Sequence, residues 1–353
     1  MSQYWNKRTQ GLQPYVPGEQ PQDQAYIKLN TNENPYAPSK KVLDAMHTAV
    51  ESGLNLYPDP QCRELKQAIA TQYEVAYENV FVGNGSDEVL AHIFAGLFAE
   101  DKPLVCPDIS YSFYPVYAQM YGIELQKVPL NNAFEIELEN YPTDNGGAIF
   151  ANPNAPTSIA LKRDEIEKFL KRNQETVVVV DEAYVDFGGE SCVPLVAQYD
   201  NLLVVKTVSK SRSLAGLRVG YAIGSPELIE GLERVKNSFN SYPLDKVALA
   251  GAKAAMEDQL SFDQARNEIM QVRARTAQAL QALGFDVLSS KTNFLFASPK
   301  TMPAEKMYLA LKEAGVLVRY FNQPRISEYL RITVGTAEEM QVFLGAVEKI
   351  INT

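Results

Sequence analysis

Residues 201–224 read NLLVVKTVSKSRSLAGLRVGYAIG. An apolar stretch runs into a polar Thr-Val-Ser-Lys turn, and a loop of small residues then leads through an arginine into a second apolar stretch. This pattern predicts two β-strands of one sheet, and open α/β sheets bind ligands beyond the carboxyl ends of their strands. Two hydroxyls, an amine and a guanidinium should therefore converge on a space suited to an anion beside a nucleophile: Thr207, Ser209, Lys210 and Arg218. A serine-rich surface loop is the alternative.

Strand and helix patterns alternate on both sides of this segment. Unbroken apolar runs such as VVVV at 177–180 are typical of parallel strands that are covered on both faces. From about residue 225 the pattern changes to helices, including a long helical stretch over 243–283, and then to short strands between helices. The sequence predicts an α/β fold, with a large domain built on a mostly parallel sheet covered by helices and a smaller α+β domain.

The same patterns predict where the domains begin and end. We expect residues 1–30 to form an N-terminal arm that is part of the small domain. Residues 31–240 should form the large domain, which carries the strand ends described above. Residues 241–353 should form a linker helix and the small C-terminal domain.

Composition excludes much catalytic chemistry. The 353 residues carry a formal net charge of −10, from 33 Lys+Arg and 43 Asp+Glu, which disfavours nucleic acid and anionic membranes as partners. Only two histidines and three cysteines occur, and no zinc-binding motif does, so we expect no metal site. His47 and His92 lie in apolar helical patterns that favour packing roles. Without a signal-like or membrane-spanning stretch, or a disulfide framework, we expect a cytoplasmic protein.

Two further strand ends carry polar groups. The strand TVVVVDEAY ends at Asp181, and a carboxylate there is costly unless it has a partner, such as a cationic ring nitrogen. A cap or a salt bridge is the alternative. In VFVGNGSDE (80–88) a strand and a glycine turn lead to Ser86 and Asp87 at a helix start, where unpaired N–H groups bind phosphate. Plain N-capping by Ser86 is the alternative.

Three more turns follow predicted strands or helices. They contain Tyr111 in DISYSFYP, Tyr57 in NLYPDP and the turn NPNAPT at 152–157. Each alone is typical of a turn or a core residue. Together with the lysine, the acid and the helix start, they indicate one binding site.

In this order the motifs resemble those of the histidinol-phosphate aminotransferase family, which belongs to the fold-type I, pyridoxal-phosphate-dependent aminotransferases. The resemblance covers almost the whole chain and implies a homodimer with shared active sites, whose large domain binds the cofactor. The segments that carry it are LNTNENPYAPS (29–39), LYPDP (56–60), GNGSDE (83–88), NPNAPT (152–157), VVDEAY (179–184), TVSKSRSLAGLRVG (207–220) and VRYFNQPRISEYLRITVGT (318–336).

The resemblance implies three catalytic roles. Lys210 would bind pyridoxal phosphate covalently and later move the proton between the substrate carbon and the cofactor. Asp181 would keep the pyridine nitrogen protonated, so that the ring accepts electrons. Tyr184 would hydrogen-bond the phenolic oxygen of the cofactor.

The resemblance also implies binding roles. Tyr111 would stack on the ring, and Tyr57 would reach the cofactor phosphate from the neighbouring subunit. The substrate pocket would contain Tyr15 and Asn32, with Arg319 and Arg331 binding the substrate's phosphate. The other groups that would hold the cofactor phosphate are Ser86, Asp87, Ser209 and Arg218.

One position departs from the family pattern NPNNPTG. Ala155 stands where an asparagine bonds the phenolic oxygen, and Ser158 replaces the glycine. Tyr184 or a neighbouring asparagine, Asn152 or Asn154, would have to serve instead. We therefore include Asn154 among the cofactor-binding residues.

The resemblance implies transamination of histidinol phosphate with 2-oxoglutarate, in histidine biosynthesis. An aromatic amino-acid aminotransferase would share every cofactor residue. A pyridoxal-phosphate-dependent decarboxylase of a phosphorylated amino acid is a second alternative. A non-catalytic regulator of the same fold is a third, although the chain lacks a basic DNA-binding region.

Overall fold

The structure is a computed structural model that describes residues 2–51 and 53–352. The helices of these residues are α1 (Lys7–Gly11), α2 (Lys40–Glu51), α3 (Arg63–Tyr73), α4 (Gly85–Gly96), α5 (Tyr114–Tyr121), α6 (Arg163–Arg172), α7 (Pro226–Phe239), α8 (Lys246–Met256), α9 (Gln259–Ala282), α10 (Ala304–Glu313) and α11 (Ala337–Ile351). Their strands are β1 (Ile27–Lys28), β2 (Val80–Asn84), β3 (Leu104–Pro107), β4 (Leu125–Val128), β5 (Ala148–Ala151), β6 (Val178–Asp181), β7 (Leu202–Thr207), β8 (Val219–Gly224), β9 (Phe285–Val287), β10 (Phe294–Pro299), β11 (Val316–Leu317), β12 (Arg319–Tyr320) and β13 (Leu330–Thr333).

The largest sheet has seven strands in the order β2-β8-β7-β6-β5-β3-β4. The five strands from β7 to β4 are parallel, and β8 runs antiparallel to both β2 and β7. With helices packed around this sheet and a second, antiparallel sheet beyond it, the predicted α/β fold is confirmed.

This topology brings the predicted strand ends together. Strands β3, β5, β6 and β7 are parallel, so their carboxyl ends lie at one edge. Because β8 is antiparallel to both neighbours, β2 also ends at that edge and β8 begins there. The segments that follow or precede these strands therefore share one side of the sheet, as the sequence predicts.

Alternate residues of the central strands pack on opposite faces of the sheet. In β6, Val178 and Val180 belong to one buried apolar cluster and Val179 to another. In β7, Leu203 and Val205 join the cluster of Val179. Burial on both faces explains why these strands are unbroken apolar runs in the sequence.

A four-stranded antiparallel sheet, ordered β12-β13-β10-β9, packs with α9, α10 and α11 around a third apolar cluster. Near it, β1 pairs in parallel with β11, so residues 27–28 meet residues 316–317. An N-terminal segment and a C-terminal segment of the chain thus meet beside the smaller sheet. The domain boundaries at 30 and 240 stay a prediction.

Several helix ends follow the sequence signals. Ser225 caps α7, with Pro226 at its first position, and Thr336 and Glu339 form a capping box at the start of α11. The stretch 243–283 is two helices rather than one, since α9 starts afresh where the Asp258 carboxylate caps its first turn. A polar residue inside a long helical pattern can start a new helix.

The two histidines differ. His92 is buried on α4 between the rings of Phe81 and Phe239, and burial lowers its pKa, so the predicted packing role is confirmed. His47 is exposed on α2, and the predicted packing role is wrong for it, because it lies on the outer face of that amphipathic helix. Among the described residues, no helix combines the length and the apolar character needed to cross a membrane.

Candidate active site

A cavity of about 620 Å³ lies at the edge where the strands of the large sheet end, and the smaller sheet contributes to its wall. Its lining includes most residues that the sequence singles out: Tyr15, Asn32, Ser86, Asp87, Tyr111, Asp181, Tyr184, Ser209, Lys210, Arg218, Arg319 and Arg331. These residues come from segments up to 316 positions apart in the chain. The fold thus assembles one site from the separate motifs.

Lys210 lies in the turn after β7. Its Nζ is 3.5 Å from the main-chain oxygen of Thr31, at the outer limit of a hydrogen bond, and 5.9 Å from the centre of the Tyr184 ring. The turn itself is held by Asn34, whose amide donates to the main-chain oxygen of Lys210. The backbone therefore positions the amine, which has no closer hydrogen-bond partner among the residues that the structure describes and is available as a nucleophile.

Asp181, the last residue of β6, is buried and 4% exposed. Its Oδ2 accepts a hydrogen bond of 2.9 Å from Tyr114, and its Oδ1 accepts one from the main-chain N–H of Ala183. Burial outweighs these bonds and raises the pKa of the carboxyl to about 6. A cationic group in the cavity would offset this cost, which fits the predicted partner.

The start of α4 faces the cavity. The helix begins at Gly85 with Asn84 in the cap position, so the alternative that Ser86 is a plain N-cap is wrong. The carboxylate of Asp87 accepts 2.8 Å hydrogen bonds from Tyr111 and Arg218. The side chain of Asp87 is thereby occupied, which leaves its main-chain N–H and that of Ser86 for an anion.

Glycines let β8 and the Arg218 guanidinium approach the turn before α4 closely. A Cβ at Gly220 would lie 2.2 Å from the main-chain nitrogen of Ser86, and a Cβ at Gly85, which has φ +78°, would lie 2.6 Å from Arg218 Nη2. Across the cavity edge, Thr207 Oγ1 donates to Ser209 Oγ, and both side chains are buried. The arrangement gathers helix N–H groups, hydroxyls and one guanidinium, a donor set suited to a phosphate.

Tyr184 follows β6 by three residues, and its ring is held edge-on against Phe294, with ring centres 5.1 Å apart. Its hydroxyl oxygen accepts a 2.9 Å hydrogen bond from the side-chain amide of Asn32. Thr333 of β13 in turn donates to the amide oxygen of Asn32. A chain of polar contacts therefore links the two sheets through the wall of the cavity.

Two arginines of the smaller sheet face the same cavity. Arg331 is half-buried, its Nη2 donates to the main-chain oxygen of Asn30, and its Nε is buried without a hydrogen-bond partner among the described residues. Burial lowers the pKa of Arg331, and the nearby charge of Arg319 lowers it further. Both guanidinium groups lie about 5.5 Å from the ring of Phe321. An anionic ligand would relieve both the burial and the repulsion.

The turn 152–157 presents Ala155 to the cavity, while its asparagines are engaged elsewhere. The amide of Asn154 donates to the main-chain oxygen of Ile109 and to Thr157, and its oxygen accepts from Ser110. Asn152 exchanges two hydrogen bonds with the main chain of Leu161. The cofactor role of Asn154 is not confirmed and stays a prediction.

Tyr57 does not line this cavity. It is 81% exposed, and its ring lies 4.8 Å from that of Tyr242 on the protein surface. Exposed apolar side chains surround it in the sequence, including Leu54 and Leu56. Its predicted role across a subunit interface therefore stays a prediction.

Sequence reasoning missed several residues that shape the site. Tyr114, which donates to Asp181, has no local signal because its partner lies 67 residues away in the chain. Phe113, whose ring stacks on that of Tyr15 at 4.5 Å, is likewise brought to the site by tertiary packing. No local signal marks Thr333, because its partner Asn32 lies 301 residues away.

The cavity fits pyridoxal phosphate on its own geometry. It offers an amine, a buried carboxyl that a cation would stabilise, and a phosphate-binding donor set built at a glycine cradle. The unpartnered Nε of Arg331 marks a second anion position on a separate element. No residue described above conflicts with such a ligand.

Comparison with known proteins gives a family match and close relatives. Residues 24–347 match the family model for class I and II aminotransferases. The chain is 55% identical to the histidinol-phosphate aminotransferase of Acinetobacter baylyi, over 99% of this chain and 98% of that protein. It is 56% identical to histidinol-phosphate aminotransferase 1 of Bordetella parapertussis, over the full length of both.

Solved structures support the fold. A histidinol-phosphate aminotransferase from Sinorhizobium meliloti, in complex with pyridoxal 5′-phosphate, superposes with a TM-score of 0.90 at 22% identity, covering 100% of this chain and 98% of that one. The enzyme of the same name from Clostridium acetobutylicum gives 0.86 at 22% identity, covering 92% and 99%. At this identity the likeness speaks for the fold alone.

Proposed function

Because this chain belongs to the class I and II aminotransferase family, we propose that it is a pyridoxal-phosphate-dependent transaminase of histidine biosynthesis. It converts histidinol phosphate and 2-oxoglutarate to imidazole-acetol phosphate and glutamate. Relatives that carry the name histidinol-phosphate aminotransferase match it over nearly their whole length, which supports the substrate.

When bound, pyridoxal phosphate supplies an electron-withdrawing ring that stabilises the negative charge left as a substrate C–H bond breaks. Lys210 would hold the cofactor covalently, and its Nζ would carry the proton that leaves the substrate carbon. Asp181 would keep the ring nitrogen protonated, because that positive charge would stabilise the buried carboxylate. Tyr184 would donate to the phenolic oxygen, and Tyr111 would stack on the ring.

The cofactor phosphate is held at the start of α4. The N–H groups of Ser86 and Asp87, the Ser209 hydroxyl and the Arg218 guanidinium are its donors. Arg218 is now paired with the Asp87 carboxylate, which fixes the guanidinium beside the helix start. Asn154 supports the turn beside the cofactor.

The observation that supports a phosphorylated substrate is the pair of arginines on the smaller sheet. Arg319 and Arg331 face one cavity, and burial together with the nearby charge of Arg319 lowers the pKa of Arg331. A single carboxylate offsets one positive charge, whereas a phosphate dianion offsets both. In a chain of net charge −10 this local pair favours a phosphorylated substrate. Tyr15 and Asn32 border the same pocket.

A panel of amino donors tests this proposal. The protein loaded with pyridoxal phosphate is mixed with histidinol phosphate, histidinol, phenylalanine or tyrosine, and the change in cofactor absorption gives kcat/KM for each half-reaction. We expect histidinol phosphate to exceed histidinol by at least about a hundredfold, since two charge-assisted contacts to the phosphate are lost with histidinol.

Arg319→Gln is the matched variant for the panel. It should narrow the gap between histidinol phosphate and histidinol and leave the half-reaction with histidinol nearly unchanged. Equal kcat/KM for the two donors would contradict the phosphorylated substrate. Preference for phenylalanine or tyrosine would favour the aromatic aminotransferase. Release of carbon dioxide from a phosphorylated amino acid such as O-phosphothreonine, added to the panel because histidinol phosphate has no carboxyl group, would identify a decarboxylase.

We also propose that the enzyme is a homodimer in which Tyr57 reaches the cofactor phosphate of the partner. The support is the exposed ring pair of Tyr57 and Tyr242, together with exposed apolar side chains that neighbour these two residues in the sequence: Leu54, Leu56 and Phe239. Monomeric proteins rarely leave so many large apolar groups exposed together. A second copy of the chain that completes the site would bury these apolar side chains.

Two further features belong to the proposal. The arm over 1–30, the large domain over 31–240 and the linker with small domain over 241–353 are the units that we propose, supported by the separate apolar cluster of the smaller sheet. A cytoplasmic location is supported by three buried cysteines, each free in the structure. Cell fractionation tests the location.

A further inference from the structure

Asn32 lines the cavity but is built into the wall rather than presented to a substrate. It is 2% exposed and has a left-handed backbone, with φ 56°. Its main-chain N–H donates to Thr333 Oγ1 over 3.0 Å, and its main-chain oxygen accepts from Asn293 over 3.0 Å. A non-glycine residue is held in this conformation only when its surroundings compensate for the strain. Here contacts from two distant segments do so.

Thr333 fixes the orientation of the Asn32 side chain through the amide oxygen. Thr333 Oγ1 receives the main-chain N–H of Asn32, and its own proton goes to the amide oxygen of Asn32 over 3.2 Å. This contact turns the NH₂ group of Asn32 toward Tyr184, whose oxygen accepts it over 2.9 Å. Because an NH₂ group can only donate, the O–H proton of Tyr184 remains free for an acceptor in the cavity.

The neighbouring asparagine side chains at this part of the cavity wall are already hydrogen-bonded within the protein. Ala155 has no polar side-chain atom, and the amides of Asn152 and Asn154 are bonded to their own turn and its neighbours. Tyr184, by contrast, lines the cavity with a hydroxyl proton that its bond with Asn32 leaves free. Its ring cannot swing freely because Phe294 packs against it at 89°.

We propose that Asn32 is a positioning residue that acts on the cofactor through Tyr184. By donating to the phenol oxygen, Asn32 makes Tyr184 the donor to the phenolic oxygen of pyridoxal phosphate and strengthens that hydrogen bond. This assigns Asn32 to cofactor binding rather than to substrate binding. The inference rests on the proposed function, since it needs the cofactor in this cavity.

Binding of two ligands to the cofactor-free protein tests the inference without turnover. Pyridoxamine 5′-phosphate carries the phenolic oxygen and forms no bond with Lys210, and its 3-deoxy analogue lacks that oxygen. Dissociation constants are measured by titration calorimetry. Asn32→Gly removes the amide and suits the left-handed backbone without strain. Asn30→Ala is the control, since Asn30 is a buried asparagine of the same segment that does not contact Tyr184.

We expect Asn32→Gly to weaken binding of pyridoxamine phosphate by about five- to tenfold, the worth of one hydrogen bond, and to leave the 3-deoxy analogue unchanged. Tyr184→Phe should show the same selectivity, and the double variant should be no weaker than Tyr184→Phe alone. Thr333→Val, which removes the proton that orients the amide, should reproduce part of the effect. Asn30→Ala should change the dissociation constants of both ligands by the same factor or leave both unchanged.

Three results would overturn the inference. Equal weakening of both ligands by Asn32→Gly would show a merely structural residue. Additive losses in the double variant would show that Asn32 acts independently of Tyr184. If the wild-type protein binds neither ligand, the proposed function fails and the inference fails with it, whereas wild-type binding without selectivity in the variants overturns the inference alone.

Discussion

At the scale of single residues, the site depends on side chains that are costly without a ligand. Asp181 is buried at a strand end, and Arg331 is half-buried with an Nε that has no hydrogen-bond partner in the part of the chain that the structure describes. A buried group that lacks a full set of partners favours whatever ligand supplies them. The raised pKa of Asp181 therefore points to a cationic ligand group, and the lowered pKa of Arg331 points to an anionic one.

Asp181→Asn gives a prediction for the cofactor-free protein. The pKa of this carboxyl is about 6 in the fold against 3.8 in the unfolded chain. Because the folded pKa is raised, the group favours folding at acid pH, and this contribution is lost as pH rises from 3.8 to about 6. At pH 8 the free energy of unfolding of Asp181→Asn should therefore exceed that of the wild type by about 3 kcal/mol.

Urea unfolding of both proteins from pH 4 to 8 measures this difference. The advantage of Asp181→Asn should shrink as pH falls through 6. With pyridoxal phosphate bound the order should reverse, because only the carboxylate stabilises a protonated ring nitrogen. A pH-independent difference would contradict the assigned burial.

The residues that could be predicted from the sequence are those that follow apolar strands. Lys210 and Asp181 could be placed because the run before each one marks the strand end, and parallel strands end together. Thr333 and Tyr114 could not, because their partners are fixed by tertiary packing. The sequence shows that Ala155 lacks an amide, but only the structure shows that Asn152 and Asn154 are engaged.

At the scale of elements, a buried ionic network joins β6 to β7 beneath the site. Lys206 of β7 lies 3.0 Å from the Glu182 carboxylate and 3.6 Å from that of Asp186, and its side chain is 2% exposed. Glu182 follows Asp181, and Asp186 accepts a hydrogen bond from Ser211, beside Lys210. The network thus connects the segments that carry the catalytic acid and the catalytic lysine.

Lys206→Met should destabilise the fold strongly. Removing the ammonium leaves two carboxylates without their buried partner, which costs about 3–5 kcal/mol of unfolding free energy. Lys40→Met is the control, because its pair with Asp44 is exposed and contributes at most about 0.5 kcal/mol. Urea titration gives both values, and the double variant Lys206→Met/Glu182→Gln should recover part of the loss. Equal losses in the two lysine variants would refute a buried network.

The element boundaries show where sequence patterns stop being informative. The helices and strands of the large sheet follow the predicted alternation, because burial on both faces leaves a clear apolar pattern. Residues 315–321, GVLVRYF, have the apolar pattern of one strand, yet they contain both β11 and β12, which pair with different partners. Which partner a short strand finds depends on contacts far away in the chain, so no local pattern divides it.

At the scale of the whole molecule, the proposed dimer makes a prediction about mixed subunits. If Tyr57 serves the partner's site, a hybrid of Lys210→Ala and Tyr57→Ala subunits has one site with both defects and one intact site. Mixing the two variants under exchanging conditions should raise activity above the mean of the separate variants. Activity equal to that mean, in a mixture shown by native mass spectrometry to contain hybrids, would place Tyr57 in its own subunit's site or outside any site.

The central claim is that one cavity holds pyridoxal phosphate and transfers the amino group of a phosphorylated substrate. A single turnover tests it most directly: the loaded enzyme is mixed with excess histidinol phosphate in the absence of any oxo acid, and products are identified by mass spectrometry. We predict one imidazole-acetol phosphate and one bound pyridoxamine phosphate per cofactor, and no product with Lys210→Ala. Absence of both products from the wild-type protein, or their formation by Lys210→Ala at the wild-type rate, would contradict the account.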